Sequence, residues 1–131
     1  MLGCDSGPAV YPASGVVRFE NGQPVRNASI EFVPKAGGPS PRARIDAEGR
    51  FVLGTYASDD GAPPGAYLVI VIQPLPPSAS GAARSLGEEH ADHAGSAQAV
   101  SLRHASTETT GIEARVEATD SNEFELVVQP L

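Results

Sequence analysis

Large apolar side chains in this chain recur at every second position, in short runs closed by Gly, Pro, Asn or Asp. A period of two puts alternate residues on opposite faces of an extended strand, so it commits these runs to β-structure and leaves little room for amphipathic helix. Val17 and Phe19 share one face while Arg18 and Glu20 take the other. Asn21-Gly22 follows, a strong hairpin signal because both residues tolerate positive φ. Ala28, Ile30 and Phe32 point inward between Ser29 and Glu31, and Pro34 closes that run. Ala43 and Ile45 alternate with Arg42, Arg44 and Asp46; Ala47-Glu48-Gly49 makes a tight connection, and Phe51, Leu53 and Thr55 continue a buried face. Tyr67 to Ile72 is apolar on both faces and reads as a central strand covered on both sides. Ile112, Ala114 and Val116, then Phe124, Leu126 and Val128, alternate with charged residues. Seven short strands with turn signals between them predict an all-β sandwich. Phe19, Phe32, Phe51, Tyr67 and Phe124 are expected to meet in one interior between two antiparallel layers.

Composition bounds what else the chain can be. At 131 residues it is expected to be one domain. Nine Lys and Arg against sixteen Asp and Glu give a net charge of −7, which argues against a nucleic-acid backbone as partner. The stretch from Pro74 to Ala99, PLPPSASGAARSLGEEHADHAGSAQA, holds only Leu75 and Leu86 as large apolar residues. Too little apolar surface is available there to offset the entropy of ordering it, so 74–99 is expected to be a long disordered insertion. No run approaches the roughly 20 apolar residues of a membrane-spanning helix. Residues 1–13 read as a tether and 14–131 as the sandwich. The chain's one Cys, Cys4, follows Leu2-Gly3 and resembles the end of a bacterial lipoprotein signal. That resemblance implies that Cys4 is lipidated and that the chain is an extracytoplasmic envelope protein held at a membrane.

A wider resemblance rests on ordered turn motifs. Ser14-Gly15-Val16-Val17, Asn21-Gly22-Gln23-Pro24-Val25, Ala28-Ser29-Ile30-Glu31-Phe32-Val33-Pro34, Asp46-Ala47-Glu48-Gly49-Arg50-Phe51 and Pro64-Gly65-Ala66-Tyr67-Leu68-Val69 resemble carboxypeptidase regulatory-like domains. Thr110-Gly111-Ile112 and Asn122-Glu123-Phe124-Glu125-Leu126 are similar to a variant in small bacterial surface lipoproteins. The resemblance implies a transthyretin-like, seven-stranded Greek-key sandwich and a non-catalytic module with a structural role or a protein or glycan ligand. It implies no cofactor. The matching residues are turn glycines and core aromatics, which build a fold and do no chemistry.

Three constellations carry other chemistry. Glu88-Glu89-His90-Ala91-Asp92-His93, with His104 further on, offers imidazoles and carboxylates of the type that bind zinc, and a metal-binding lipoprotein using His90, His93 and His104 is the alternative function. Asp46-Ala47-Glu48-Gly49 and Asp59-Asp60-Gly61 supply carboxylates, but too few at fixed spacing for a calcium loop. The transthyretin-like fold also hosts a hydrolase of 5-hydroxyisourate, whose relatives carry paired His and Arg in strands and a Tyr-Arg-Gly-Ser-like end. This chain ends Val127-Val128-Gln129-Pro130-Leu131 and keeps its His residues outside the core strands, so a hydrolase is the remotest reading and no catalytic residue is assigned. The loops near 21–25, 57–65 and 104–110 are expected to gather at the sandwich ends and form a binding surface. Tyr56, Asp59, Asp60 and Tyr67 are its candidate contacts, since aromatic rings beside polar loops suit sugar stacking or protein contact.

Overall fold

Strand β1 (Ala13–Phe19) opens the architecture in a computed structural model that describes residues 8–74 and 99–131. It is followed by β2 (Ala28–Pro34), β3 (Arg42–Ile45), β4 (Arg50–Val52), β5 (Gly65–Ile72), a short 3₁₀ helix (Leu102–Ala105), β6 (Glu113–Val116) and β7 (Asn122–Val128). The strands form two sheets, ordered β4-β1-β7 and β3-β2-β5-β6. Their inner faces enclose one apolar core, so the chain is an all-β sandwich of seven strands. Cys4, His90, His93 and residues 75–98 of the 74–99 stretch lie outside the described residues. No described helix is long and apolar enough to cross a membrane.

The period-two reading places the core correctly. Val17, Phe19, Ile30, Phe32, Ile45, Phe51, Leu53, Val116, Leu126 and Val128 are all buried. Phe32 is the hub: its ring centroid lies 6.1 Å from that of Phe51, 5.6 Å from Tyr67 and 5.3 Å from Phe124, in tilted or edge-on contacts. Such geometry adds to area burial because each ring presents its positive edge to a negative face. Gly15 makes the hub possible. Its absent side chain leaves room for Phe51 Cζ and the Phe124 carbonyl, which an added Cβ would meet at once.

Three expectations change. The layers are not wholly antiparallel: β1 pairs with β7 in parallel over seven residues, from Ala13↔Asn122 to Phe19↔Val128. The first and last strands of the sandwich thus lie side by side, a pairing that no short-range signal encodes. Asn21-Gly22 does form a tight turn, with Gly22 at φ 93 and its N–H donating to the Phe19 carbonyl. It does not join β1 and β2 as a hairpin. The returning chain pairs with β1 only over Gln23 to Val25, then Asn27, at φ 55, redirects it into the other sheet. The buried Val25 side chain explains the short return, since it plugs the core there.

Strand β5 is interior to its sheet, with β2 and β6 as neighbours. Tyr67, Val69 and Val71 fill the core from it. Cover over its outer face is graded instead of complete. Ile70, beside Glu31 on β2, is 9% exposed, whereas Ile72, beside the small Ser29, is 42% exposed.

Candidate functional site

Strands β3 and β4 form the seam where the two sheets meet, and the seam is open at its centre. The connection at 46–49 is fixed locally. Asp46 Oδ1 accepts from the backbone N–H of Glu48 (2.9 Å) and Arg50 (2.8 Å), and Gly49 takes φ 83. That carboxylate therefore shapes a turn. Beyond it, Asp46 N–H donates to the Arg50 carbonyl, and Arg42 and Gly54 exchange two backbone bonds of 2.9 and 3.0 Å. Antiparallel pairing should add the pair Arg44↔Val52 between these two points. No such bond forms.

The neighbouring ladders show which way these backbone groups face. Phe32 N–H donates to the Pro41 carbonyl, so Ser29↔Arg44 falls on a non-bonded pair of the β2–β3 ladder. Leu53 N–H donates to Ala13 and Val17 N–H to Gly49, so Ser14↔Val52 is likewise non-bonded between β1 and β4. The N–H and C=O groups of Arg44 and Val52 thus face each other across a gap.

A shallow cleft of about 840 Å³ lies over this gap. Its polar lining is three arginines (Arg42, Arg44, Arg50), three carboxylates (Glu31, Asp46, Asp59) and the hydroxyls of Ser29 and Ser58, with Phe51, Val52 and Ile72 as apolar floor. Arg42, Arg44 and Arg50 have no ion-pair partner among the described residues, whereas Arg18, Lys35 and Arg115 pair with Glu125, Glu113 and Glu117. Arg42 and Arg44, two apart on one strand, project from the same face. The cleft combines guanidinium forks without ion-pair partners, carboxylates and hydroxyls over a break in the β3–β4 pairing. It can bind a polar, polyhydroxylated or anionic ligand through many directional bonds.

The candidate loop contacts behave differently from expectation. Tyr67 is 2% exposed: its ring packs on Phe32 and its OH donates to the Pro63 carbonyl at 2.6 Å. Burial, with the Tyr56 phenol as second contributor, pushes its pKa above the ordinary value. It is a core residue, in phase with Val69 and Val71, and offers nothing to a ligand. Asp60 is committed to its own loop. Its carboxylate accepts from the N–H of Thr55 (2.7 Å), Tyr56 (3.1 Å) and Ala57 (3.0 Å). Burial alone would raise this carboxyl, but the N–H groups of Thr55, Ala57 and Tyr56 outweigh it and hold the pKa below the usual value. Tyr56 is half exposed and its OH donates to the Pro8 carbonyl at 2.9 Å, pinning the incoming chain. Asp59, exposed at φ 63, reaches the seam cleft. Of the four candidates, Asp59 alone lines the cleft.

Nor do the three loops gather on one surface. Residues 22–26 neighbour Ala47 and Glu48 at the Phe19 end of β1, while Ala62 pairs with Tyr11 at the Ala13 end. A seven-residue strand, roughly 20 Å, separates them.

His104 is buried and its ring is fully engaged. Nδ1 lies 3.1 Å from Thr110 Oγ1, and Nε2 accepts from Gln129 N–H at 3.0 Å. A metal ligand needs a free in-plane lone pair, and here that lone pair is in use, so His104 serves the scaffold. Among the described residues no group of three or more His, Cys, Asp or Glu is placed to hold a metal ion.

The cleft arginines were legible only as outward-facing strand residues. That they stay without ion-pair partners depends on where the fold places the carboxylates, which no motif announces. Comparison with family models and with curated proteins finds no match. Among solved structures, a 9R-lipoxygenase from Cyanothece PCC8801 aligns with 97% of this chain and 18% of its own, at 14% identity and a TM-score of 0.42. This chain therefore spans under a fifth of that protein, and a likeness at this level carries no argument about fold or activity.

Proposed function

We propose that this chain is a non-enzymatic, extracytoplasmic sandwich module of the carboxypeptidase regulatory-like, transthyretin-like type. In this reading it is lipid-anchored through Cys4 and holds an envelope glycan in the β3–β4 cleft. The observation that carries the binding role is the set of three arginines without ion-pair partners among the described residues, over a gap in the backbone ladder. Guanidinium and carboxylate groups lining one cleft supply the donors and acceptors that sugar hydroxyls and uronate carboxylates require. The buried or loop-locked polar groups, His104, Tyr67 and Asp60, are meanwhile spent on holding the fold. The anchor rests on the sequence context of Cys4 alone.

Two measurements test the reading separately. The full chain, screened against neutral and acidic oligosaccharides, should bind an acidic class, and Arg42→Ala with Arg44→Ala should abolish that binding while leaving the melting temperature within about 2 °C. Unchanged binding in the double variant would refute the cleft. Binding of extended peptides instead of sugars would move the assignment to a protein partner. For the anchor, the full chain expressed in a bacterial host from its natural reading frame should partition into detergent and lose that behaviour in Cys4→Ala. Equal partition of both would refute it.

A further inference from the structure

We infer that His104 is an acid-releasable clasp: it locks residues 99–101 and 129–131 onto the sandwich while its ring is neutral and lets them go when the ring gains a proton. This goes beyond the proposed role, and it requires neither the ligand nor the anchor.

The hydrogen-bond pattern determines the ring's state. The Thr110 hydroxyl has one proton and donates it to the Val69 carbonyl at 2.8 Å. Toward His104 Nδ1, 3.1 Å away, that oxygen can then only accept, so Nδ1 carries the ring proton. Nε2 is left as a bare acceptor, and the Gln129 N–H fills it at 3.0 Å. The neutral Nδ1–H tautomer satisfies every group; no other protonation state does. The ring thereby links β5 of one sheet to the end of β7 in the other.

What this link holds is a small clasp of backbone bonds. Ser101 N–H donates to the Gln129 carbonyl (2.9 Å) and Leu131 N–H to the Ala99 carbonyl (2.8 Å), with Val100 bridged to Pro130. Val100 N–H donates to the Gln73 side chain at 2.8 Å. Val100 is 5% exposed and belongs to the core, so opening the clasp uncovers apolar core surface.

A proton added to Nε2 sets two donors, Nε2–H and Gln129 N–H, face to face, with a charge in a buried site. The surroundings offer that charge little. Arg103 on the same 3₁₀ helix repels it. Glu108 in the following turn is exposed and its N–H is bonded to Ser106 Oγ. Glu20 accepts from the Gln129 side chain instead of the ring. On β5 the titratable group is Tyr67, committed to Pro63; on β7, Glu123 and Glu125 are exposed. Desolvation first, then Arg103, lower the ring's pKa below 6.5, against a raising effect from Thr110. The sign follows from linkage. Below pH 6.5 the released ring takes a proton that the clasped ring resists, so clasp stability is complete above that value and declines as pH falls through the lowered one.

Nitrogen-15 NMR of the intact chain tests this. At pH 7.5 the His104 ring should show a protonated Nδ1 and an unprotonated Nε2. Hydrogen-exchange protection, corrected for intrinsic rates, should fall at Gln129, Ser101 and Leu131 as pH drops from 6.5 to the ring's lowered pKa, by at most about tenfold per pH unit, and level off below it. Protection at Val17 and Phe32 should hold over the same range. His104→Gln, whose side-chain oxygen can still accept from Gln129 but does not titrate, should flatten the response. An Nε2–H tautomer, pH-independent protection of the three amides, or an equal decline in His104→Gln would overturn the inference. Should His104→Gln fail to fold, the wild-type tautomer and the contrast between clasp and core amides decide the matter.

Discussion

Replacing Gly15 by Ala tests the packing of the sandwich at its tightest point. The added methyl would sit against the Phe124 carbonyl oxygen inside any permitted contact distance, 3.0 Å from the Phe124 carbonyl carbon and 2.9 Å from Phe51 Cζ. A ring edge can rotate aside, but the Phe124 carbonyl belongs to the strand paired in parallel with β1 and is held along its whole length. The strain must therefore be relieved by separating β1 from β7 or by displacing the Phe51 ring from Phe32. Overpacking of this kind costs about 1–3 kcal/mol. Restricting the unfolded chain returns about 0.4–1 kcal/mol, because Ala has fewer accessible backbone states than Gly. A net loss of about 1–2 kcal/mol lowers the melting temperature by about 4–8 °C for a domain of this size. Differential scanning fluorimetry and urea unfolding monitored by circular dichroism both measure it, with the adjacent outward-facing Ser14→Ala as control, expected within about 0.5 kcal/mol of the parent. A Gly15→Ala chain as stable as the parent, or more so, would show that β7 does not lie against β1 as described.

Phe32→Ala removes the ring that Phe51, Tyr67 and Phe124 share, and a loss of about 3–5 kcal/mol is expected, enough to unfold much of the protein at 37 °C by circular dichroism. Thr110→Val leaves both the His104 Nδ1–H and the Val69 carbonyl without their partner in a buried site, and chemical denaturation should show a loss of about 1–3 kcal/mol. Asp60→Asn replaces the oxygen that accepts from Tyr56 and Ala57 with a donor, so its melting temperature at pH 7 should fall. Because the Asp60 carboxyl is held below 3.8, its contribution is complete above that pH, and the gap between parent and variant should close as pH drops through the lowered value.

The strands were readable because burial in a half-covered sheet imposes a period of two, and Ile30/Phe32 or Leu126/Val128 obey it in the folded chain. Sheet partnership was not readable. The parallel β1–β7 pairing joins segments more than a hundred residues apart, and the redirection at Asn27 leaves only an ordinary-looking turn. Tyr67 was expected both among the core aromatics and as a loop contact; its phase with Val69 and Val71 favours the core, where it sits. His104 gave no warning, because a buried histidine is specified by partners, here Thr110, Val69 and Gln129, that come from three places in the chain. The cleft arginines carried a partial signal, since Arg42 and Arg44 alternate outward, but whether a carboxylate comes within reach of them is set by the tertiary fold.

The most direct test of the binding role is amide chemical-shift mapping of the intact chain titrated with an acidic oligosaccharide. The amides of Arg44 and Val52 face the open seam, so a ligand in the cleft should shift these two most, together with the side-chain Nε–H of Arg42, Arg44 and Arg50. Saturable shifts centred on the 21–25 turn or on the Pro63-Pro64 loop, with Arg44 and Val52 unmoved, would contradict it.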